Sequence, residues 1–174
     1  MMQPTQLQPE NPHQTEFIPL VPADIDEILL IEQSTYSHPW TRGHFLDSIQ
    51  AGYFASGIQR CDSDKKLIAY AIAMAAVDEL QILNLTVSPA FQGQGHGYAM
   101  LKHLAEFCRT TGLRSIWLEV RAGNKIAQSL YEKFGFLMVG TRPRYYPSIQ
   151  GQREDATLMR MDLQTSIQTV KLSP

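Results

Sequence analysis

The chain is 174 residues long, with 44% hydrophobic and 18% charged residues, a size and balance that fit one folded domain and exclude wholesale disorder. Its fifteen Lys plus Arg against seventeen Asp plus Glu leave a net charge of −2, which argues against a broad nucleic-acid-binding face, and no stretch reaches the ~20 apolar residues of a bilayer span. The two cysteines, Cys61 and Cys108, show neither Cys-x-x-Cys spacing nor a matching histidine cluster, so free thiols in a reducing cytoplasm and no metal site are expected.

Residues 1–16 are rich in Gln and Pro and carry neither a basic leading segment nor an apolar run; they read as a disordered extension. Residues 17–20 are a short apolar strand candidate. Pro22, Ala23 and Asp24 then open a helix whose Ile25, Ile28, Leu29 and Ile31 recur at helical spacing and which ends near Tyr36. Thr41 is the N-cap expected for a second, shorter helix with Phe45, Leu46 and Ile49, closed by Gly52. Residues 53–59 and 67–77 read as an antiparallel hairpin around the turn-rich Cys61-Asp62-Ser63-Asp64. A third strand, 80–87, stops at Ser88-Pro89.

From 97 to 111, Met100, Leu101, Leu104, Phe107 and Cys108 predict a helix with one buried face, ended by Gly112. Residues 116–120 form a compact strand, and Asn124 can cap a helix carrying Ile126, Ala127, Leu130, Tyr131 and Phe134. Two last strands, 136–145 and 156–163, flank a polar loop. This order predicts one α+β domain over residues 17–163 with a mixed sheet rather than a regular βαβ repeat, followed by a frayed tail at 164–174.

Between the third strand and the long helix lies Gln92-Gly93-Gln94-Gly95-His96-Gly97. A helix start leaves its first N–H groups without intrahelical partners and attracts phosphate, and glycines let backbone come close to a ligand. Gln92 and Gln94 offer side-chain donors as well. A flexible connecting turn is the plain alternative. A dinucleotide-binding unit would need a parallel crossover before the glycines, and a P-loop would need Lys-Ser or Lys-Thr after them. Neither fits the antiparallel strands and Tyr98 found here.

Pro89-Ala90-Phe91-Gln92-Gly93-Gln94-Gly95-His96-Gly97 resembles the acetyl-CoA signature of the GNAT family of N-acetyltransferases, Gln/Arg-x-x-Gly-x-Gly/Ala. The resemblance continues through Trp117-Leu118-Glu119-Val120-Arg121-Ala122-Gly123-Asn124, Leu130-Tyr131-Glu132-Lys133-Phe134-Gly135-Phe136, Arg144-Tyr145-Tyr146-Pro147 and Arg153-Glu154-Asp155-Ala156. Within the family the set, with Pro39-Trp40, is similar to the RimI-type alanine N-acetyltransferases, which modify the N-terminal alanine of a small-subunit ribosomal protein.

The resemblance implies a GNAT fold, a mixed and mostly antiparallel sheet of about seven strands with about four helices. It implies acetyl-CoA as cosubstrate, no metal, and a protein or peptide N-terminus as partner, a ribosomal protein's, with no direct binding of nucleic acid or membrane. Leu85, Thr86 and Val87 would offer backbone groups to the pantetheine arm, and Gly93, Gln94, Gly95, His96, Gly97 and Tyr98 would hold the pyrophosphate beside Gln92. Asn124 would also bind CoA. The chain departs from the family at Gly93 and Tyr98, where a basic residue is frequent, and at Gly123, where serine is usual.

An amine must be neutral to attack a thioester, so a carboxylate acting directly or through water suits the task, and a phenol can protonate the departing thiolate. The resemblance carries Glu119 as proton acceptor and Tyr131 as proton donor. By residue type alone, Glu119 could equally pair with an arginine and Tyr131 could be a core aromatic. Tyr145, Tyr146, Glu154 and Asp155 in the last hairpin are the candidates for the acceptor peptide, their carboxylates suited to a basic peptide and its terminal ammonium; a solvated loop of surface ion pairs is the alternative. Acetylation of a lysine side chain or small amine, and a non-catalytic acyl-CoA-binding module, are the rival functions.

Overall fold

The computed structural model describes residues 14–147, 151 and 153–163; the expected extension over residues 1–13 and tail over 164–174 lie outside the described residues. Seven strands occur in the order β1 (Thr15–Pro19), β2 (Phe54–Arg60), β3 (Leu67–Ala76), β4 (Glu79–Val87), β5 (Ser115–Arg121), β6 (Leu137–Pro147) and β7 (Arg153–Asp162). The helices are α1 (Ile25–Thr35), α2 (Arg42–Gln50), α3 (His96–Thr111) and α4 (Lys125–Phe134). One sheet runs β1-β2-β3-β4-β5-β7-β6, antiparallel except at the parallel β4–β5 pair. This is the mixed, mostly antiparallel sheet with four helices that was expected. The strand start is not: Thr15 pairs with Arg60 and Glu16 with Gln59, so β1 begins inside the stretch read as an extension. Pairing with the β2 edge fixes these two polar residues, and their composition gave no sign of it.

β3 is buried on both faces and reads as a continuous apolar run, as a central strand covered by helices on either side must. Ala69, Ala71 and Ala73 join the core under α3, whose Met100, Leu101, Leu104, Ala105 and Cys108 are buried at helical spacing. The alternate residues Tyr70 and Ile72 face Ile25, Ile28 and Ile31 of α1 and Phe45 of α2. Small side chains on one face and large ones on the other thus let α3 lie close to the sheet.

Two irregularities in β4 create the space that matters for function. Ile72 pairs with Asn84 and Ala73 with Ile82, so Leu83 is an extra residue, a bulge that bends the strand. The β4–β5 ladder runs only from Glu79–Ser115 to Ile82–Leu118. Beyond it β4 continues with β3 alone, and β5 continues against β7 as far as Arg121–Ala156. The sheet is zipped at one end and parted at the other.

Candidate active site

The parted strands form the banks of a cavity of about 240 Å³, with Leu83, Asn84 and Leu85 on the β4 bank and Glu119, Val120 and Arg121 on the β5 bank. A larger cavity of about 940 Å³ lies between the N-terminal turn of α3 and the face of α4. The two share Tyr36, Leu85, Arg121, Asn124, Ala127 and Tyr131, so they adjoin around these side chains, one toward the Gly-rich turn and the other toward Glu119.

Most of the residues expected to hold a cosubstrate line the larger cavity: Leu85, Thr86, Val87, Gln92, Gly93, Gly95, His96, Gly97, Tyr98 and Asn124. Gln94 does not; its amide donates to the carbonyl of Ala90 at 3.3 Å. Gln92 likewise donates to the Val87 carbonyl at 3.1 Å. Both side chains brace the turn through these bonds. Gly93 and Gly95 have φ of +74° and +88°, with nothing within 4 Å of the Cβ they lack, so they serve a left-handed turn that leaves the backbone bare. Gly97 does different work. A Cβ there would lie 2.9 Å from Leu130 Cδ2, so this glycine leaves room for the Leu130 side chain of α4 against α3.

Asn124 caps α4, its Oδ1 accepting from the Ala127 N–H at 3.1 Å, and also lines both cavities. α4 then carries Tyr131 inward to the junction, where it is 7% exposed. Burial, with smaller contributions from Tyr36 and Tyr146, pushes its phenol well above the usual range, so the hydroxyl, protonated at neutral pH in any tyrosine, keeps its proton into alkaline pH as well. That is the state required of an acid facing a leaving thiolate.

Glu119 alternates outward from the core-facing Leu118 and Val120 and lines the smaller cavity with its side chain 14% exposed. Its carboxylate pairs with Arg142 at 2.8 Å. Tyr146 lies over the same cavity, its hydroxyl donating to the Glu119 carbonyl at 3.2 Å. Burial first, then the Glu119 charge, pushes the Tyr146 phenol up to about 12. Tyr145 is exposed, and Glu119 beside it is the main cause of its raised phenol.

The two acidic candidates of the last hairpin are placed otherwise. Glu154 pairs with Arg121 at 3.1 Å and accepts from the Gly123 N–H at 2.6 Å, while Asp155 accepts from the Arg144 N–H at 2.7 Å. The Glu154 carboxylate holds the hairpin against the turn before α4, the Asp155 carboxylate ties β7 to β6 within the hairpin, and neither lines a cavity described above. A Cβ on Gly123 would meet Glu154 Oε1 at 2.8 Å; the carboxylate occupies the space that a serine would need.

Sequence reasoning passed over a polar network behind the β4 bank. Glu32 of α1, 1% exposed, accepts from the Tyr70 hydroxyl, from the Trp40 N–H at 2.8 Å and from Asn84 Nδ2 at 3.3 Å. Thr86 donates to Asn84 Oδ1 at 2.8 Å and meets the Tyr36 hydroxyl at 3.1 Å. Burial raises the Tyr36 phenol. The bulge makes this possible, because it turns both Leu83 and Asn84 toward α1. The one legible signal was the adjacent pair Ile82-Leu83 in an otherwise alternating strand.

Residues 25–136 match the model of the acetyltransferase (GNAT) family. The chain belongs to this family. Among curated GNAT relatives, a ribosomal protein bS18-alanine N-acetyltransferase of Haemophilus ducreyi is 37% identical over 144 residues, covering 83% of this chain and 97% of the relative. The Escherichia coli K12 protein of the same description is 35% identical over 140 residues, covering 80% and 92%. The crystal structure of the ribosomal-protein-S18-alanine N-acetyltransferase from Escherichia coli superposes with a TM-score of 0.80 at 32% identity, over 90% of this chain and 99% of that one.

Proposed function

We propose that this GNAT acetyltransferase moves acetyl from acetyl-CoA to a protein N-terminal α-amine, the N-terminal alanine of a small-subunit ribosomal protein, by direct transfer in a ternary complex. The observation that carries the reading is the meeting of two cavities at Tyr131, one opening on the Gly-rich turn and the other on Glu119. Relatives of 37% and 35% identity with that activity support the acceptor. The bare backbone at Gly93 and Gly95 and the β4 edge beyond Ile82 suit a phosphate and an amide-bearing arm.

Acetyl-CoA supplies the acetyl thioester. Glu119 takes a proton from the attacking amine, directly or through water; an α-amine has a pKa of about 7.7–8.0, so the base has modest work near neutrality. As the C–N bond forms and the C–S bond breaks, Tyr131 gives its proton to the leaving sulfur. Proton exchange with solvent then resets both groups. Tyr145 and Tyr146 border the acceptor side, while Glu154 and Asp155 shape the hairpin that carries them.

The test is incubation of the purified protein with acetyl-CoA and peptides bearing a free or a blocked N-terminal alanine, followed by mass spectrometry. Acetyl on the free α-amine is expected. Acetylation of lysine in blocked peptides alone would sink the proposal.

A further inference from the structure

The larger cavity has a charge pattern of its own. In a chain of net charge −2, the described residues lining it include Arg121, Lys125 and Lys133 and no Asp or Glu. The Gly-rich turn supplies none of these cations, since residues 92–98 contain no Lys or Arg. Its single histidine, His96, is held toward the neutral form by burial. Arg121 is paired with Glu154 at 3.1 Å. The remaining two cations stand on α4.

Lys125, Ser129 and Lys133 recur at four-residue intervals, so they share one face of α4, and all three are exposed and line the cavity. The two lysines are about 12 Å apart along the helix axis, from a rise of ~1.5 Å per residue. Across the cavity, Tyr98 in the first turn of α3 packs on Phe134, next to Lys133, with ring centroids 5.1 Å apart. The lysine-bearing face and the phosphate-attracting helix start are therefore joined through Tyr98–Phe134 and Gly97–Leu130.

We propose that the cations pairing with the cosubstrate's phosphates are Lys125 and Lys133 of α4, the Gly-rich turn contributing backbone N–H groups and no charge. This rests on the reading of the larger cavity as the acetyl-CoA site. CoA carries a pyrophosphate and a 3′-phosphate, and two separated lysines on one wall can meet a ligand whose charges are spread along its length. Lysine is a point-charge partner that tolerates such variable geometry.

Calorimetric titration of the full chain with CoA, at two salt concentrations, tests the assignment. Lys125→Gln/Lys133→Gln is expected to weaken binding tenfold or more and to flatten its salt dependence, since two screened charge pairs are lost; Lys125→Arg/Lys133→Arg is expected to keep both. An unchanged melting temperature in the Gln pair assigns the loss to the site rather than to folding. If the Gln pair binds CoA as the unmodified protein does, with the same salt slope, this assignment falls and the acetyl-CoA reading stands. If the unmodified protein does not bind CoA, both fall.

Discussion

Arg142 on β6 reaches across β7 to pair with Glu119 on β5 at 2.8 Å. The guanidinium stands over the Tyr145 ring, 5.3 Å from its centroid, so an aromatic platform and a carboxylate fix it together. Glu119 is thereby held on the cavity wall with its carboxylate already in an ion pair.

This arrangement makes Arg142 a positioning residue for Glu119. Replacing it with Met, which keeps the stem, is expected to lower kcat/KM about tenfold, the scale of one oriented charge pair. In a Glu119→Gln background the same change should cost almost nothing. Steady-state kinetics on the four proteins gives the coupling directly; independent, multiplicative effects would show that Arg142 acts elsewhere.

Tyr131→Phe removes one hydroxyl from a buried ring that packs on Phe136 at 5.7 Å between centroids. Turnover is expected to drop by about 10²-fold or more, in the range of general acid catalysis, with CoA affinity nearly unchanged. Pre-steady-state mixing and calorimetry separate the two quantities. A parallel fall in CoA affinity would make the tyrosine a wall of the cavity rather than an acid.

Gly97→Ala places a methyl 2.9 Å from Leu130 Cδ2, where α3 and α4 meet. Overpacking in a rigid core costs about 1–3 kcal/mol; here the end of the Leu130 side chain can swing aside and alanine favours the helix by about 1 kcal/mol over glycine, so a net loss below about 1 kcal/mol is expected. Urea unfolding should report that loss, and a Leu130→Ala background should shrink it because the clash is gone. An equal penalty in both backgrounds would locate the strain in the backbone.

Alkaline pH acts through the buried phenols. Tyr146 rises from 10.0 to about 12 on folding, by burial first and the Glu119 charge second, and Tyr131 and Tyr70 lie higher still. Between these values the unfolded chain has released protons that the native one keeps, so stability is full below pH 10 and falls as pH climbs through 12. Tyr146→Phe should make that decline shallower in denaturant titrations followed by circular dichroism. Identical slopes for both proteins would contradict the assignment.

Element order and type were readable because periodicity is strong: α3 alternates buried and exposed positions every three or four residues, and β3 is apolar throughout. Glu119, Asn124 and Tyr131 were located by motif, and all three line the smaller cavity. Long-range pairing is what local pattern misses. Nothing near Glu154 announces Arg121 and Gly123, 33 and 31 residues away, and Glu32 sits within a helix stripe whose other buried members are isoleucines. Arg142 carries no local signal either, since its partner lies two strands over.

The extra residue at Leu83 works as a reading-frame shift written in side chains. Before it, Leu80 and Ile82 point to the α3 core; after it, Leu85 and Val87 do, so even numbers give way to odd. Deleting Leu83 would restore simple alternation: Leu85 and Val87 would still face the α3 core and Asn84 and Thr86 the Glu32 side, with one apolar side chain and the bend in the strand lost. Homologous chains one residue shorter at this point would therefore keep the two sides of β4 as they are and lose its bend, even with every motif residue intact.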